Sequence, residues 1–280
     1  MAGYSYGTLY LVPTPIGNLE DMTLRGIDIL KTVSLIGAED SRKSATLLSR
    51  YEIKTPTISY HKFNENSRIA SFLTILKEGK DIAIITDAGT PGISDPAEII
   101  IKAAIESGIR ICTLPGASAL LPALVSSGFN CKHFAFLGFL PSQESEKREL
   151  LQRVSSYPET LIFYESGKRL HRFLKTIREF FGNRNIVIGR EISKIYETYY
   201  RDCLDRILDD KDSLVLKGEF TIVSEGSRKK EISDEEIIKL LRHTLSEGKA
   251  LSQAVNQTSK ALNIPKNRTY KIALKITKTD

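Results

Sequence analysis

The sequence predicts an α/β protein made of two successive α/β domains and a short basic helical segment. Three observations lead there. Strand-length apolar runs alternate with amphipathic helical stretches at short intervals, the pattern that produces parallel strands joined by right-handed crossovers. Glycine and proline stand between those runs as punctuation rather than as low-complexity tracts. The last fifty or so residues carry helix signals and no strand signal.

In chain order, Thr8 to Val12 is a β-rich run ended by Pro13-Thr14-Pro15, and Leu24, Ile27, Ile29 and Leu30 mark a helix. Val33 to Ala38 is the second strand. Ile69, Phe72, Leu73 and Leu76 repeat at i, i+3, i+4, i+7, predicting a helix over 66–77 that Gly79 closes. Ile82 to Thr86 is a buried strand; Asp95 and Pro96 then read as the cap and first residue of a helix stopped by Gly108, and Ile109 to Leu114 is a strand. From Pro115 a second unit follows, with helices over 118–126, 144–154 and 170–181 and strands over 134–140, 160–164, 186–188 and 220–223. The hydrophilic stretch 225–230 leads into three helices, the first opened by Ser233 and Glu236 as a capping box. The domain boundaries are therefore 1–114, 115–226 and 227–280, the last resembling a helix-turn-helix bundle, though such a tail also serves for packing or dimerisation.

With 41% apolar and 26% charged side chains the chain has material for a buried core, which excludes disorder. No apolar run approaches the roughly 20 residues of a membrane span, and Met1 to Gly7 has no signal-peptide pattern, so the reading is a cytoplasmic protein. Cys112, Cys131 and Cys203 are widely spaced and read as reduced core residues; the four histidines are isolated, and no metal site is expected. Charge is uneven: residues 227–280 hold 12 Lys or Arg against 6 Asp or Glu, while residues 1–226 hold 28 of each. The whole net charge of +6 thus lies on the tail, either as a solvated face or as a polyanion-binding surface.

Neither a P-loop nor a GxGxxG follows the first strand. Three other small-residue loops stand at strand ends instead: Val12 to Leu19 (VPTPIGNL), Thr86 to Pro96 (TDAGTPGISDP) and Leu114 to Ala119 (LPGASA). Each alone reads as a rigid turn. Together they suit a bulky ligand held by main-chain hydrogen bonds at the carboxyl edge of a sheet. Glu39, Asp40 and Arg42 follow strand two at that edge, and His61 and Glu65 flank the next loop; capping of the following helix is the alternative role for the two acids.

At these residues the chain resembles the tetrapyrrole-methylase superfamily of S-adenosylmethionine-dependent enzymes, and within it the branch that methylates the ribose 2′-oxygen of a cytidine in bacterial 16S ribosomal RNA. The resemblance rests on Leu9 to Thr23, Ala38 to Arg42 (AEDSR), Ile58 to Asn66 (ISYHKFNEN), Asp87 to Pro96, Leu114 to Ala119, Gly138 to Pro141 (GFLP), Phe163 to Ser166 (FYES), Gly189 to Lys194 (GREISK) and Lys217 to Gly226. It departs at Ala97, where Gly is usual, at Ala117, where Pro is usual, and at Gly167-Lys168 after FYES.

The resemblance implies a two-domain homodimer with S-adenosylmethionine in the cleft between domains, and the decoding region of 16S ribosomal RNA, free or in the assembled small subunit, as substrate. By motif position the cofactor would meet Ile16, Asp87, Gly89, Thr90, Ile93, Ser118, Ala119, Tyr164, Arg190 and Thr221. Glu39, Asp40 and His61 become candidates for substrate positioning or proton transfer. Arg42, Lys62, Arg68, Lys194, Arg268, Lys271 and Lys275 are candidates for phosphate contacts, the last three sharing a helix face at i, i+3, i+7. Methylation of a tetrapyrrole or corrin precursor, and RNA binding without catalysis, are the rival functions.

Overall fold

Leu9 and Leu11 of the first strand point to one side of a sheet and Tyr10 and Val12 to the other, and both sides are buried. That is the condition a parallel sheet imposes, since its crossover helices cover both faces. The computed structural model describes residues 6–210, 214–227, 233–262 and 264–276. The first sheet contains β1 (Thr8–Leu11), β2 (Leu35–Ala38), β3 (Thr57–Ser59), β4 (Ile82–Ile85) and β5 (Arg110–Thr113), all parallel, in the order β3-β2-β4-β1-β5. Helices α1 (Leu24–Thr32) and α2 (Ser41–Arg50) supply Leu30 and Leu48 to one face; α3 (Glu65–Lys77) and α4 (Glu98–Glu106) supply Phe72, Leu76, Ile100 and Ala104 to the other.

The second sheet is mixed. It runs β6-β7-β10-β8-β9, from β6 (Phe134–Phe139), β7 (Thr160–Ser166), β8 (Asn185–Arg190), β9 (Thr198–Cys203) and β10 (Glu219–Ser224); only β6 and β7 are parallel. α5 (Leu120–Ser127) covers one face, packing Ala123 and Leu124 on Ile162, Val187 and Val223. α6 (Glu144–Val154), α7 (Gly167–Phe181) and α8 (Leu204–Asp209) cover the other, where Phe163 meets Phe173 and Phe181. Both sheets belong to one compact unit ending at Ser227.

The helical tail is a second compact unit, with α9 (Asp234–Ser246), α10 (Leu251–Ala261) and α11 (Lys266–Ile276) around Ile237, Leu241, Ala254, Val255 and Ile272. Ser233 caps α9 as expected, its hydroxyl accepting the Glu236 N–H (3.2 Å).

Two expectations need correction. The helix after the second Gly/Pro loop begins at Glu98, not at Asp95-Pro96, because left-handed backbone at Gly92 (φ +87°) and Ser94 (φ +66°) carries the chain onward before it can coil. The cysteines are not core residues: Cys131 is exposed, and Cys112 and Cys203 are half-buried. No helix among the described residues is long and apolar enough to cross a membrane.

Candidate active site

The three loops at the carboxyl edge of the first sheet are tied to one another. Thr14 and Gly89 exchange both backbone hydrogen bonds (2.9 Å each), the Thr14 hydroxyl donates to the Thr86 carbonyl (2.9 Å), and the Thr90 hydroxyl donates to the Ala117 carbonyl (3.0 Å). Gly89 can accept this geometry because its φ is +86°, a region costly for residues with a Cβ. Gly17 meets a different demand. A Cβ there would lie 2.2 Å from Cγ of Lys194, whose stem crosses this loop from the segment after β8. A hydrogen bond between Ser193 and Asp21 secures the same contact.

These loops form one wall of a cavity of about 340 Å³, in the size range of sites for ligands as large as a nucleoside derivative. The opposite wall is a single transverse row of the second sheet. Phe139, Tyr164, Thr221 and Gly189 stand in register on β6, β7, β10 and β8, and all four line the cavity. Tyr164 packs edge-on against Phe136 and Phe139, and burial pushes its phenol pKa upward.

Of the ten positions expected to meet a cofactor, Ile16, Asp87, Gly89, Thr90, Ile93, Ser118, Ala119, Tyr164 and Thr221 line this cavity. Arg190 does not. It follows Gly189 on the strand. Its guanidinium instead donates to the carbonyls of Lys217 (2.9 Å) and Tyr196 (3.3 Å), fastening the loop that carries Lys194.

The charged groups of the cavity are paired in a definite way. Glu39 Oε2 accepts the Asp87 N–H (3.2 Å), Asp87 Oδ1 accepts the Asp40 N–H (3.1 Å), and Lys43 Nζ donates to Asp87 Oδ2 (2.6 Å). The ends of β2 and β4 are locked together by these bonds. The hydrogen bond to Asp87 also holds the Lys43 pKa above its ordinary value. Lys194 ends between Glu191 (2.9 Å) and Glu219 (2.8 Å), which outweigh the opposing effect of burial and raise its pKa. Five carboxylates, Glu39, Asp87, Asp95, Glu165 and Glu219, line the cavity against two lysines, so its field favours a cationic ligand.

The remaining candidates lie elsewhere. Asp40 caps α2, accepting the Arg42 N–H (3.0 Å), which lowers its pKa. His61 is half-buried in the loop after β3 and outside the cavity lining; its Nδ1 accepts the Phe63 N–H (3.2 Å). Arg42 and Lys62 are exposed and Arg68 is half-buried. Arg268, Lys271 and Lys275 project from the exposed face of α11, Arg268 reaching Asp234 (2.8 Å).

Sequence reasoning missed Lys43 and Asp95 as lining residues. Lys43 sits one residue beyond the AEDSR motif, on a helix that polar composition conceals. Asp95 lies inside a recognised motif but reads as a cap. Among the described residues no group of three or more His, Cys, Asp or Glu is placed to hold a metal ion.

Residues 8–208 match the family model of the Tetrapyrrole (Corrin/Porphyrin) Methylases. The chain is 41% identical over 271 residues to the Bacillus subtilis protein named ribosomal RNA small subunit methyltransferase I, covering 94% of this chain and 93% of that one. A Synechocystis protein of the same name is 38% identical, over 96% and 98% of the two chains. Among solved structures the methyltransferase CobJ superposes with a TM-score of 0.59 at 17% identity, over 79% of this chain and 95% of that one. Uroporphyrin-III C-methyl transferase from Thermus thermophilus, in a complex with S-adenyl homocysteine, gives 0.54 at 16% identity, over 78% and 98%. At those identities the likeness is one of fold.

Proposed function

The chain belongs to the tetrapyrrole methylase family, alongside full-length relatives named ribosomal RNA small subunit methyltransferase I, and from this we propose that it transfers a methyl group from S-adenosylmethionine to small-subunit ribosomal RNA. The acceptor in this reading is the ribose 2′-oxygen of a cytidine in the decoding region. The observation that carries the cofactor assignment is the cavity itself, with nine motif-derived positions on its walls and an excess of carboxylates. S-adenosylmethionine supplies a methyl group on a positively charged sulfur, open to in-line attack by an oxygen nucleophile.

The residues of the cavity can bind and orient both reactants. Asp87, fixed by the Asp40 N–H and Lys43, offers a rigid acceptor at the end of β4. Ser118, Ala119 and Thr221 offer small polar and main-chain groups, and the Tyr164 ring closes the opposite side. Holding two reactants in attack geometry contributes much of the rate in such displacements. Glu39 is the one member of the catalytic set Glu39, Asp40 and His61 on the cavity wall, which supports it as a positioning group there.

Phosphate recognition falls on exposed cations, Arg42 and Lys62 beside the first sheet and Arg268, Lys271 and Lys275 on α11. Exposed Leu121 and Val125, one turn apart on α5, support self-association as a homodimer. A substrate that is part of the ribosome implies a cytoplasmic protein.

Calorimetry tests the cofactor: S-adenosylmethionine should bind with an affinity that a chelator leaves unchanged. Transfer of labelled methyl to small subunits from cells lacking this protein tests the reaction. Absence of binding heat or of label in the RNA would reject the assignment.

A further inference from the structure

Apolar side chains stand singly in water on any protein surface, so exposure alone says little. Phe63 differs in degree and in setting. It is 94% exposed, the most exposed aromatic side chain among the described residues. It lies in His61-Lys62-Phe63-Asn64, the turn that joins β3 to α3, within a motif that contributes no residue to the cavity wall.

The turn is closed by its own hydrogen bonds. Asn64 Oδ1 accepts the His61 N–H (2.8 Å) and Asn64 Nδ2 donates to the Ser59 carbonyl (3.1 Å). The His61 carbonyl accepts the N–H groups of Asn64 (2.9 Å) and Glu65 (3.0 Å), and His61 Nδ1 accepts the Phe63 N–H (3.2 Å). The His61 ring meets the Phe63 ring edge-on, 6.0 Å between centroids. The backbone that carries the ring is therefore ordered before anything binds, which lowers the entropy cost of a contact there.

The ring also stands at the right edge of the sheet. Ser59 pairs in register with Ala38, and the Tyr60 N–H donates to the Ala38 carbonyl (2.7 Å). Residues 60–63 thus leave the sheet one strand spacing, about 4.8 Å, from the segment that begins with Glu39, which lies on the cavity wall. The charge around the turn is positive. Lys62 is exposed with no ion-pair partner among the described residues, and Arg42 is exposed with only a 3.5 Å contact to Asp40. Glu65, the one acid between residues 58 and 68, is buried beside the Tyr60 hydroxyl (3.4 Å).

We propose that Phe63 is a stacking platform for an unpaired base of the RNA substrate, adjoining the nucleotide whose ribose enters the cavity. The inference rests on the RNA-methylation reading above. A ribose within folded RNA reaches an enclosed methyl group only when its nucleotide leaves the stack, and the protein must offset the stacking that is lost. Aromatic faces do this for single-stranded RNA, while cations hold the neighbouring phosphates. The turn supplies both parts, the Phe63 ring for the base and Lys62 for the phosphate. Stacking tolerates any base, so Phe63 is a positioning residue and does not identify the target. A protein partner suits this place poorly, because Lys62, Asn64, Asn66 and Ser67 flank the ring and give a second chain little apolar surface.

The test uses the full chain, S-adenosylmethionine and small subunits from cells lacking this protein. Phe63→Ala and Phe63→Leu should both raise the KM for subunits roughly 5–150-fold, the scale of one lost base–aromatic stack, while Phe63→Trp keeps the wild-type value. Leucine is as apolar as the ring but has no π-face. The turnover number and the calorimetric affinity for S-adenosylmethionine should hold, since the stack forms on RNA binding and persists through transfer. The chain has no tryptophan, so Phe63→Trp carries a unique fluorophore. Introduced as azatryptophan, which is excited apart from the tryptophans of the subunit, it should be quenched on binding. Phe63→Ala should leave the slope of log K against log[salt] unchanged, and Lys62→Ala should lower it by ~0.7, the value for one single-strand phosphate.

An unchanged KM in Phe63→Ala, a Phe63→Leu variant that matches wild type, an unquenched fluorophore in the complex, or a salt slope that Lys62→Ala leaves in place would overturn the proposal. So would a change in sedimentation of Phe63→Ala without RNA, which would make the ring a contact between copies of this chain. A wild-type protein that binds S-adenosylmethionine but transfers nothing to the subunits would instead overturn the function on which the inference rests, and the inference with it.

Discussion

In the cavity, Lys43 and Lys194 end on nearby carboxylates, Asp87 for one and Glu191 with Glu219 for the other. On α11, Lys266 and Lys271 extend from an exposed helix face whose opposite side carries buried Thr269, Ile272 and Ala273. The two regions have similar residue types and opposite electrostatics. Where cations are neutralised by a surplus of carboxylates, a sulfonium ligand is favoured and a phosphate is repelled. Where cations stand at one edge of a small helical unit, they can meet successive phosphates and release counterions. A protein that must hold a cationic cofactor and a polyanionic substrate gains by separating the two fields.

The largest effect on this contrast should come from Asp87→Ala. It leaves the Asp40 N–H and the Lys43 ammonium without their shared acceptor and removes one of the carboxylates on the cavity wall. We expect a loss of S-adenosylmethionine affinity of roughly tenfold or more by calorimetry, the scale of one charge-assisted hydrogen bond to the ligand. Unchanged affinity would remove Asp87 from the site.

Replacing Arg268, Lys271 and Lys275 together by Ala should weaken binding to small-subunit RNA and lower the slope of log K against log[salt] by up to about 3, near 0.9 for each phosphate no longer neutralised. Lys194→Ala should leave that slope unchanged, because its ammonium lies on the cavity wall between Glu191 and Glu219. Equal slopes for wild type and the triple variant would make the tail a packing or dimerisation element.

A smaller effect concerns stability. The folded-state pKa of Asp95, pushed by burial and by the Glu39 and Asp87 charges to about 7, lies above its ordinary value of 3.8, so the folded protein keeps a proton that the unfolded chain has lost. Stability therefore falls as pH rises between about 4 and 7. Asp95→Asn should melt at least ~2 °C higher than wild type at pH 8, while near pH 4 the two should melt alike; a shift of this size corresponds to under ~1 kcal/mol. A lower melting temperature for the variant at pH 8 would contradict the environment assigned to Asp95.

The smallest change is expected for Asp40→Asn, which preserves a capable helix cap, whereas Asp40→Ala should lower the midpoint of denaturant unfolding. Equal stability of both variants would show that the cap carries little weight.

How much of the structure is readable from sequence differs between the same kinds of region. The parallel sheet is legible because burial on both faces produces continuous apolar runs such as Ile82 to Ile85. The elements that escape notice are short or half-covered: β3 has three residues, none fully buried, and β9 is an edge strand with no alternation of burial. In α2 only Ser44, Leu47 and Leu48 are buried, so its periodicity is faint. The cavity loops are legible from Gly and Pro, and nine expected cofactor positions fall on its walls. Arg190 and Asp95 are misplaced for geometric reasons. A motif fixes neither which neighbours take up a side chain nor how far left-handed turns delay a helix. Asp40 shows the converse: helix capping, the alternative role for this acid, is the one it fills.

The central claim, that the cavity delivers a methyl group to a ribose oxygen of small-subunit RNA, is tested most directly by the chemical identity of the product. Small subunits from cells lacking this protein would be incubated with the full chain and labelled S-adenosylmethionine, and the RNA digested to nucleosides and separated. The account predicts label in 2′-O-methylcytidine. Label in a base-methylated nucleoside, or none in RNA, would contradict it.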